Sequence, residues 1–226
     1  MSPHALWTIH PARNPAMNLF RLDASILPGA STSAEIADTA EAEWTAAHPD
    51  AVVTRRHLGT DFLPSDAWAL ATTAGSVPEA DRTPAQRDAL ALSAALADEL
   101  RNADAAILAV PLYNFGVSQH FKTWVDLVIA GAGPTTPLLE NTPTVLVTTL
   151  GGGYGPGTPR EGWDHSTPYL ERVVADIWRA DLTLIKCELT LAATTPGMES
   201  LKDLAEQQHS EALAAARRSG RALAGS

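Results

Sequence analysis

Cysteine is almost missing from this chain: Cys187 stands alone in 226 residues, so no internal disulfide can form, and no group of cysteines and histidines has zinc-ligand spacing. A reducing, cytoplasmic setting fits. No apolar run approaches the roughly 20 residues of a membrane helix. Residues 1–16, with His4, His10, Arg13 and three prolines, hold no apolar stretch of secretory length and read as a loosely held extension before Met17. Cations are scarce as well. The 16 Lys and Arg against 26 Asp and Glu leave a formal charge of -10, which opposes nucleic acid and anionic membrane surfaces as partners. Neither G-x-G-x-x-G after the first strand nor G-x-x-x-x-G-K-[ST] anywhere is found, which removes the Rossmann dinucleotide site and the P-loop.

What is present alternates. With 45% hydrophobic residues, residues 17–226 can bury one sizeable core and read as a single domain. Strands are predicted at 17–24, 52–58, 105–110, 144–149 and 182–192. The second is placed at an edge because Arg55 and Arg56 need solvent. Helices are predicted at 33–48, 83–102, 119–130, 167–179 and 198–224. Thr83 caps the second of these with Pro84 at its first position, Leu90, Leu92, Leu96, Ala97 and Leu100 being its core set, and Gly131 with Gly133-Pro134 ends the third. Residues 59–82 read as a functional rim or a partly helical excursion anchored by Phe62 and Trp68. The βα repeat implies right-handed crossovers and a doubly wound α/β fold: five parallel strands in order 2-1-3-4-5, helices on both faces, the flavodoxin-like architecture.

The most informative stretch is AAILAVPLYNFGVSQHF, from Ala105 to Phe121. Its apolar start suits a strand covered on both faces. Pro111, lacking the N–H for another ladder bond, ends it. Leu112, Tyr113, Asn114 and Phe115 then fall at a strand's carboxyl end, where open α/β sheets bind ligands. After strand one come Ser25 and, beyond Pro28-Gly29, Ser31, Thr32 and Ser33, three hydroxyls at a helix N-terminus that could take a phosphate without lysine. After strand four come Thr149, Leu150, Gly151 and Gly152, whose glycines allow close backbone approach. Each loop alone also reads as ordinary structure: an N-cap, a packed turn, a linker. Together they point to one planar, phosphate-bearing ligand.

These residues, with the Thr83-Pro84-x-Gln86-x-x-Ala89-Leu90 helix start and Thr167-Pro168-Tyr169-Leu170, resemble the FMN-dependent NADH-azoreductase and quinone reductase family over nearly all the chain after Met17. The resemblance implies FMN held by Ser25, by Ser31, Thr32 and Ser33 at its phosphate, and by Leu112 to Phe115 and Thr149 to Gly152 at its ring. It also implies NADH or NADPH as donor, quinones or azo and other electron-poor aromatics as acceptors, two half-reactions on one flavin, and homodimers with the site at the subunit interface. No acid or base is obligatory in such chemistry, and Tyr113 and Asn114 are the polar groups expected nearest the ring. No metal is expected.

Two departures stand out against the family pattern. Leu150 replaces the arginine of an S-R-G-G turn, removing a cation that favours a reduced, anionic flavin. Residues 133–142 are a shortened form of a segment that covers the flavin, so the lid should be open or supplied by residues such as 154–163. A tailoring reductase for one quinonoid metabolite and a flavodoxin-type electron carrier are the alternatives; a receiver-type signalling domain lacks its clustered acids after strand one. Among secondary candidates, His120, Lys122 and Asp126 read as helix surface, Trp163 and His165 as possible pocket lining, and Cys187 as an inert core thiol. Trp124, Val125, Val128 and Ile129 are the expected dimer face, and Met198, Leu201, Leu204, Ala205 and Leu213 the core stripe of the last helix.

Overall fold

Strand β3 (Ala105–Ala109) is buried at every position. Ala106 and Leu108 enter one apolar layer and Ala105, Ile107 and Ala109 the other, which is why its sequence shows no alternation. The computed structural model describes residues 16–225; the extension expected at 1–16 lies outside them apart from the exposed Ala16. Around β3 stand β1 (Asn18–Asp23), β2 (Val52–His57), β4 (Pro143–Thr149) and β5 (Asp181–Cys187). All pair in parallel, in the expected order β2-β1-β3-β4-β5.

Helices α1 (Thr32–Ala47) and α6 (Lys202–Ala224) cover one face. The other is covered by α2 (Ala67–Ala74), α3 (Pro84–Arg101), α4 (Gln119–Ala132) and α5 (Thr167–Glu171). The helix predicted at 167–179 is α5 continued by a π-helical stretch, Arg172–Ile177. Thr83 and Gln86 form the reciprocal capping box of α3, satisfying two N–H groups that a helix start leaves open. Leu96, Ala97 and Leu100 are buried there, with Leu90 and Leu92 packed at the margin. β2 is an edge strand whose Arg55 is exposed and ion-paired to Glu41, while Arg56 is mostly covered by its pair with Glu99.

Several expectations are corrected. Trp124, Val125 and Val128 are no free face: each is at most 1% exposed. Trp124 stacks 6.2 Å from Phe20 and meets Trp178 edge-on at 5.5 Å, so that side of α4 is spent on the core. Residues 133–142 are no lid. Leu139 N donates to Trp178 O (2.9 Å) and Asn141 N to Arg179 O (3.1 Å), fixing the segment at the amino ends of β4 and β5, opposite the ligand end. Phe62 and Trp68 stay 65% and 49% exposed, and Ala67 and Ala71 anchor residues 59–82 instead. β5 stops at Cys187, and α6 buries Ala212, Ala216, Gly220 and Leu223 with the expected Leu213 packed at the margin, while Leu204 faces out.

Gly131 does not end α4; Gly133, at φ +99°, does. A methyl on Gly131 would collide with the backbone of Ser93, so the absent side chain lets α3 and α4 approach. Gly131→Ala is therefore expected to destabilise the fold by about 1–3 kcal/mol through overpacking, although alanine is the better helix former by about 1 kcal/mol. A urea unfolding midpoint equal to or above that of the parent would discard this packing role.

Candidate functional site

Three loops leave the carboxyl ends of β1, β3 and β4, and hydrogen bonds tie them together. Leu112 N donates to Thr149 O (2.9 Å), linking the β3 and β4 loops. Tyr113 and Gly116 bond each other in both directions (2.9 and 3.0 Å) around Asn114 and Phe115, whose φ values are +48° and +71°. Two successive left-handed residues make the pattern of a type I′ turn, which favours Asn-Gly. A phenylalanine held there is costly, and strain of this kind clusters at ligand sites. The Tyr113 hydroxyl lies 3.2 Å from Ser25 Oγ and accepts from Ile26 N at 3.1 Å. It therefore fastens the β1 loop to the β3 loop.

The hydroxyl triplet divides. Ser31 is the N-cap of α1, its side chain accepting from Ala34 N, and its Oγ lies 2.9 Å from that of the buried Ser33. Ser31 lines a cleft of about 680 Å³ with Arg21, Asp23, Arg55 and His57. Thr32 turns instead to a cavity of about 390 Å³ beside Glu188, Thr190 and His209. Arg21, a buried side chain that sequence reasoning missed, bonds Asp23 (2.8 Å), Asp38 (3.1 Å), Glu41 (3.3 Å) and the α1 carbonyl of Ala34 (3.2 Å). The guanidinium thus holds the first turn of α1 against β1.

At the third loop, Leu150 belongs to the β4–β5 edge. Its N donates to Cys187 O (2.9 Å), its O accepts from Thr190 N (3.1 Å), and its side chain is fully buried. A Cβ on Gly151 would lie 2.6 Å from Leu191 Cδ1, and one on Gly152 would collide with Arg160 Nη1. The space beside these glycines is filled by the chain's own Leu191 and Arg160.

Residues 154–166 form a flap clamped at both ends by the end of β5. Glu188 accepts from Tyr154 N at 2.8 Å and Gly155 N at 3.4 Å. Asp164 accepts from Ser166 N, Thr167 N and the Thr167 hydroxyl. Lys186 bridges both carboxylates at 3.0 and 3.1 Å. Between the clamps, Trp163 meets Phe115 edge-on at 5.6 Å and His165 N donates to Phe115 O at 3.0 Å. The flap therefore rests on the strained turn. The run Asp164-x-x-Thr167-Pro168, a helix-start pattern, was the legible sign of this clamp.

The remaining candidates stay apart. His120 lies against Phe62 (5.2 Å between rings), and Lys122 pairs with Asp126 at 2.6 Å. Burial, aided by Glu35 and Glu188, pushes the Cys187 thiol up to about 11, so it stays protonated near neutrality. Burial likewise pushes Tyr169 to about 12. Among the described residues, no group of three or more His, Cys, Asp or Glu is placed to hold a metal ion, and no helix is long and apolar enough to cross a membrane.

The α1 N-terminus, the strained turn and the glycine turn follow β1, β3 and β4 at the carboxyl end of the sheet of an α/β protein, the end at which open α/β sheets bind ligands. The chain belongs to the family described as flavodoxin-like fold, whose model matches residues 17–216. It is 37% identical over 195 residues to a protein of Frankia alni named FMN-dependent NADH:quinone oxidoreductase, covering 84% of this chain and 92% of that one. A protein of the same name from Frankia casuarinae is 36% identical over 205 residues, with 88% and 97% covered. Among solved structures, an azoreductase from Bacillus anthracis superposes with TM-score 0.72 at 20% identity, covering 91% of this chain and 99% of that one; this likeness is one of fold.

Burial alone would raise the Asp164 carboxyl, but the Thr167 N–H and hydroxyl and the Lys186 ammonium outweigh it and hold the group below its ordinary value. A carboxyl lowered in the folded state stabilises it above the unfolded value of about 3.9, and that contribution is lost as pH falls through the folded value. Asp164→Asn is expected to loosen the flap near neutrality and to weaken the acid transition. Trp163 fluorescence titrated downward from about pH 7 checks this. The same acid transition in both proteins would remove Asp164 as the clamp.

Proposed function

We propose that this chain is an FMN-dependent NAD(P)H oxidoreductase acting on quinones or azo compounds, with residues 17–226 as one domain and the reducing cytoplasm as its compartment. The observation that carries the reading is the cross-linking of the β1, β3 and β4 loops through Tyr113 and Leu112 at the switch point. The relatives that match most of the chain bear that activity in their names.

The donor set fits FMN. Ser31 and Ser33, with the open N–H groups of the first turn of α1, offer neutral donors and a positive dipole end to a phosphate. Ser25 stiffens this loop, its Oγ accepting from Leu27 N at 3.1 Å. Leu112, Tyr113, Asn114 and Phe115 give the ring one wall, and Thr149, Leu150, Gly151 and Gly152 give it another through their backbone. Thr32 and Leu150 contribute by position rather than by an exposed side chain. Bound there, FMN supplies a two-electron carrier between NADH or NADPH and the acceptor. The polypeptide's part is to fix the loops, with Phe115 and Trp163 packed together beside the ring. Protons can come from water, because the Tyr113 hydroxyl is committed to Ser25 and Ile26.

A homodimer accompanies this reading. Ile26, Leu27, Phe115 and Trp163 are 50%, 57%, 41% and 52% exposed, and all lie in loops at the strands' carboxyl ends. A second copy could cover them, and α4 is not available for that purpose.

Purified protein mixed with FMN should retain a flavin band, lose it anaerobically on addition of NADH, and recover it on addition of a simple quinone. Sustained NADH consumption with excess quinone separates an enzyme from an electron carrier. Light scattering on the same sample should give about twice 23.9 kDa. No retained FMN would overturn the assignment. Ser31→Ala with Ser33→Ala should weaken FMN binding at least about tenfold, since each hydrogen bond to a charged group contributes roughly 1.5–3 kcal/mol. An unchanged FMN affinity in a folded double variant would discard the phosphate site.

A further inference from the structure

Leu150, sealed beneath the β4–β5 edge, brings no charge to the glycine turn. A charge arrives from ten residues further on. Arg160 reaches back from the flap so that its guanidinium occupies the space a side chain on Gly152 would fill, with Cζ 5.7 Å from the centre of the Tyr154 ring. Tyr154 is 8% exposed, and its N–H is held by Glu188 at 2.8 Å. The Arg160 carbonyl accepts from Trp163 N at 3.0 Å, in the turn that lays Trp163 on Phe115. Arg160 has no ion-pair partner among the described residues, whereas Arg21, Arg55 and Arg56 all have one. The side chain is exposed yet rests against the glycine turn, and a guanidinium without a carboxylate leaves its charge available to a ligand that binds beside that turn.

We propose that Arg160 is the cation that acts on the bound flavin ring and favours its reduced, anionic form. The inference rests on the FMN reading above. In the donor half-reaction NADH becomes NAD+ as two electrons and one proton pass to the neutral oxidised ring, which gains one negative charge. A fixed positive charge at the Gly151–Gly152 turn stabilises that product more than the neutral reactant. The Tyr154 ring below it and the clamped flap that carries it keep the exposed guanidinium beside the turn.

The test uses the FMN-loaded protein and two readouts other than turnover. Arg160→Leu should hold reduced relative to oxidised FMN about tenfold less tightly, a fall in midpoint potential of about 30 mV for a two-electron couple. Sulfite adds to the oxidised ring through its sulfur lone pair and leaves it anionic; its affinity should fall about tenfold as well. Binding of oxidised, neutral-ring FMN should change little, and Arg160→Lys should recover most of both losses. If Arg160→Leu retains FMN with unchanged potential and sulfite affinity, the inference is overturned while the flavoenzyme reading stands. If the parent protein shows no flavin band, both fall together.

Discussion

The crevice exists because β1 and β3 are neighbours whose connections leave on opposite faces, β1 toward α1 and β3 toward α4. Parallel strands with right-handed crossovers permit this at the switch point in the strand order. Pro111 has no N–H to offer on the β1 side, while Leu112 N still reaches Thr149 O on the β4 side, and the turn at Tyr113–Gly116 closes just beyond that last rung. The bonds from Leu112 to Thr149 and from Tyr113 to Ser25 and Ile26 convert three separate loop ends into one wall. The left-handed Phe115 is held from the other side as well, by His165 N on its carbonyl and by Trp163 on its ring.

Arg21 shows how the same end of the sheet handles charge. A guanidinium in the interior of a central strand is tolerated only if its hydrogen bonds are met. Asp23, Asp38, Glu41 and the Ala34 carbonyl meet most of them, although Nε keeps no partner among the described atoms. With Arg55 on Glu41, the cluster sets two guanidiniums against three carboxylates. It therefore offers no surplus positive charge to the adjoining loop between β1 and α1. With no lysine between β1 and α1 either, the phosphate contacts proposed for this loop fall to hydroxyls and backbone N–H groups.

Strand order, the continuous burial of β3 and the cap at Thr83 were legible because each depends on local pattern or on a general rule of topology. The dimer face assigned to α4 failed for a non-local reason. Its apolar residues meet Phe20 and Trp178, which are distant in the chain. The lid at 133–142 could have been excluded from topology alone: a crossover helix runs antiparallel to its strands, so the end of α4 returns to their amino ends. Phe62 and Trp68 misled because size was taken for burial, and the small Ala67 and Ala71 do the packing. At the site, the loops were legible but the internal uses of their side chains were not. Tyr113 is a tie, Leu150 is an edge residue, and the charge near Gly152 comes from a residue that carries no motif.

The flap shows how an edge strand can take on the work of a loop. In β5, Ile185 and Cys187 turn to the α1–α6 layer, so strand alternation sends Lys186 to the other face. There it meets Asp164 and, by way of Glu188 just past the strand end, the start of the flap. The register with β4, in which Thr148 pairs with Lys186 and Thr149 with Cys187, sets both outcomes at once. A slip of one residue would drive an ammonium into the α1–α6 core and leave Asp164 and Glu188 without their cation. Cys187 as an inert core thiol and Lys186 as the clamp are thus one structural decision. It is enforced by the cost of burying a charge, and it settles where Trp163 stands on Phe115 and Arg160 beside Gly152.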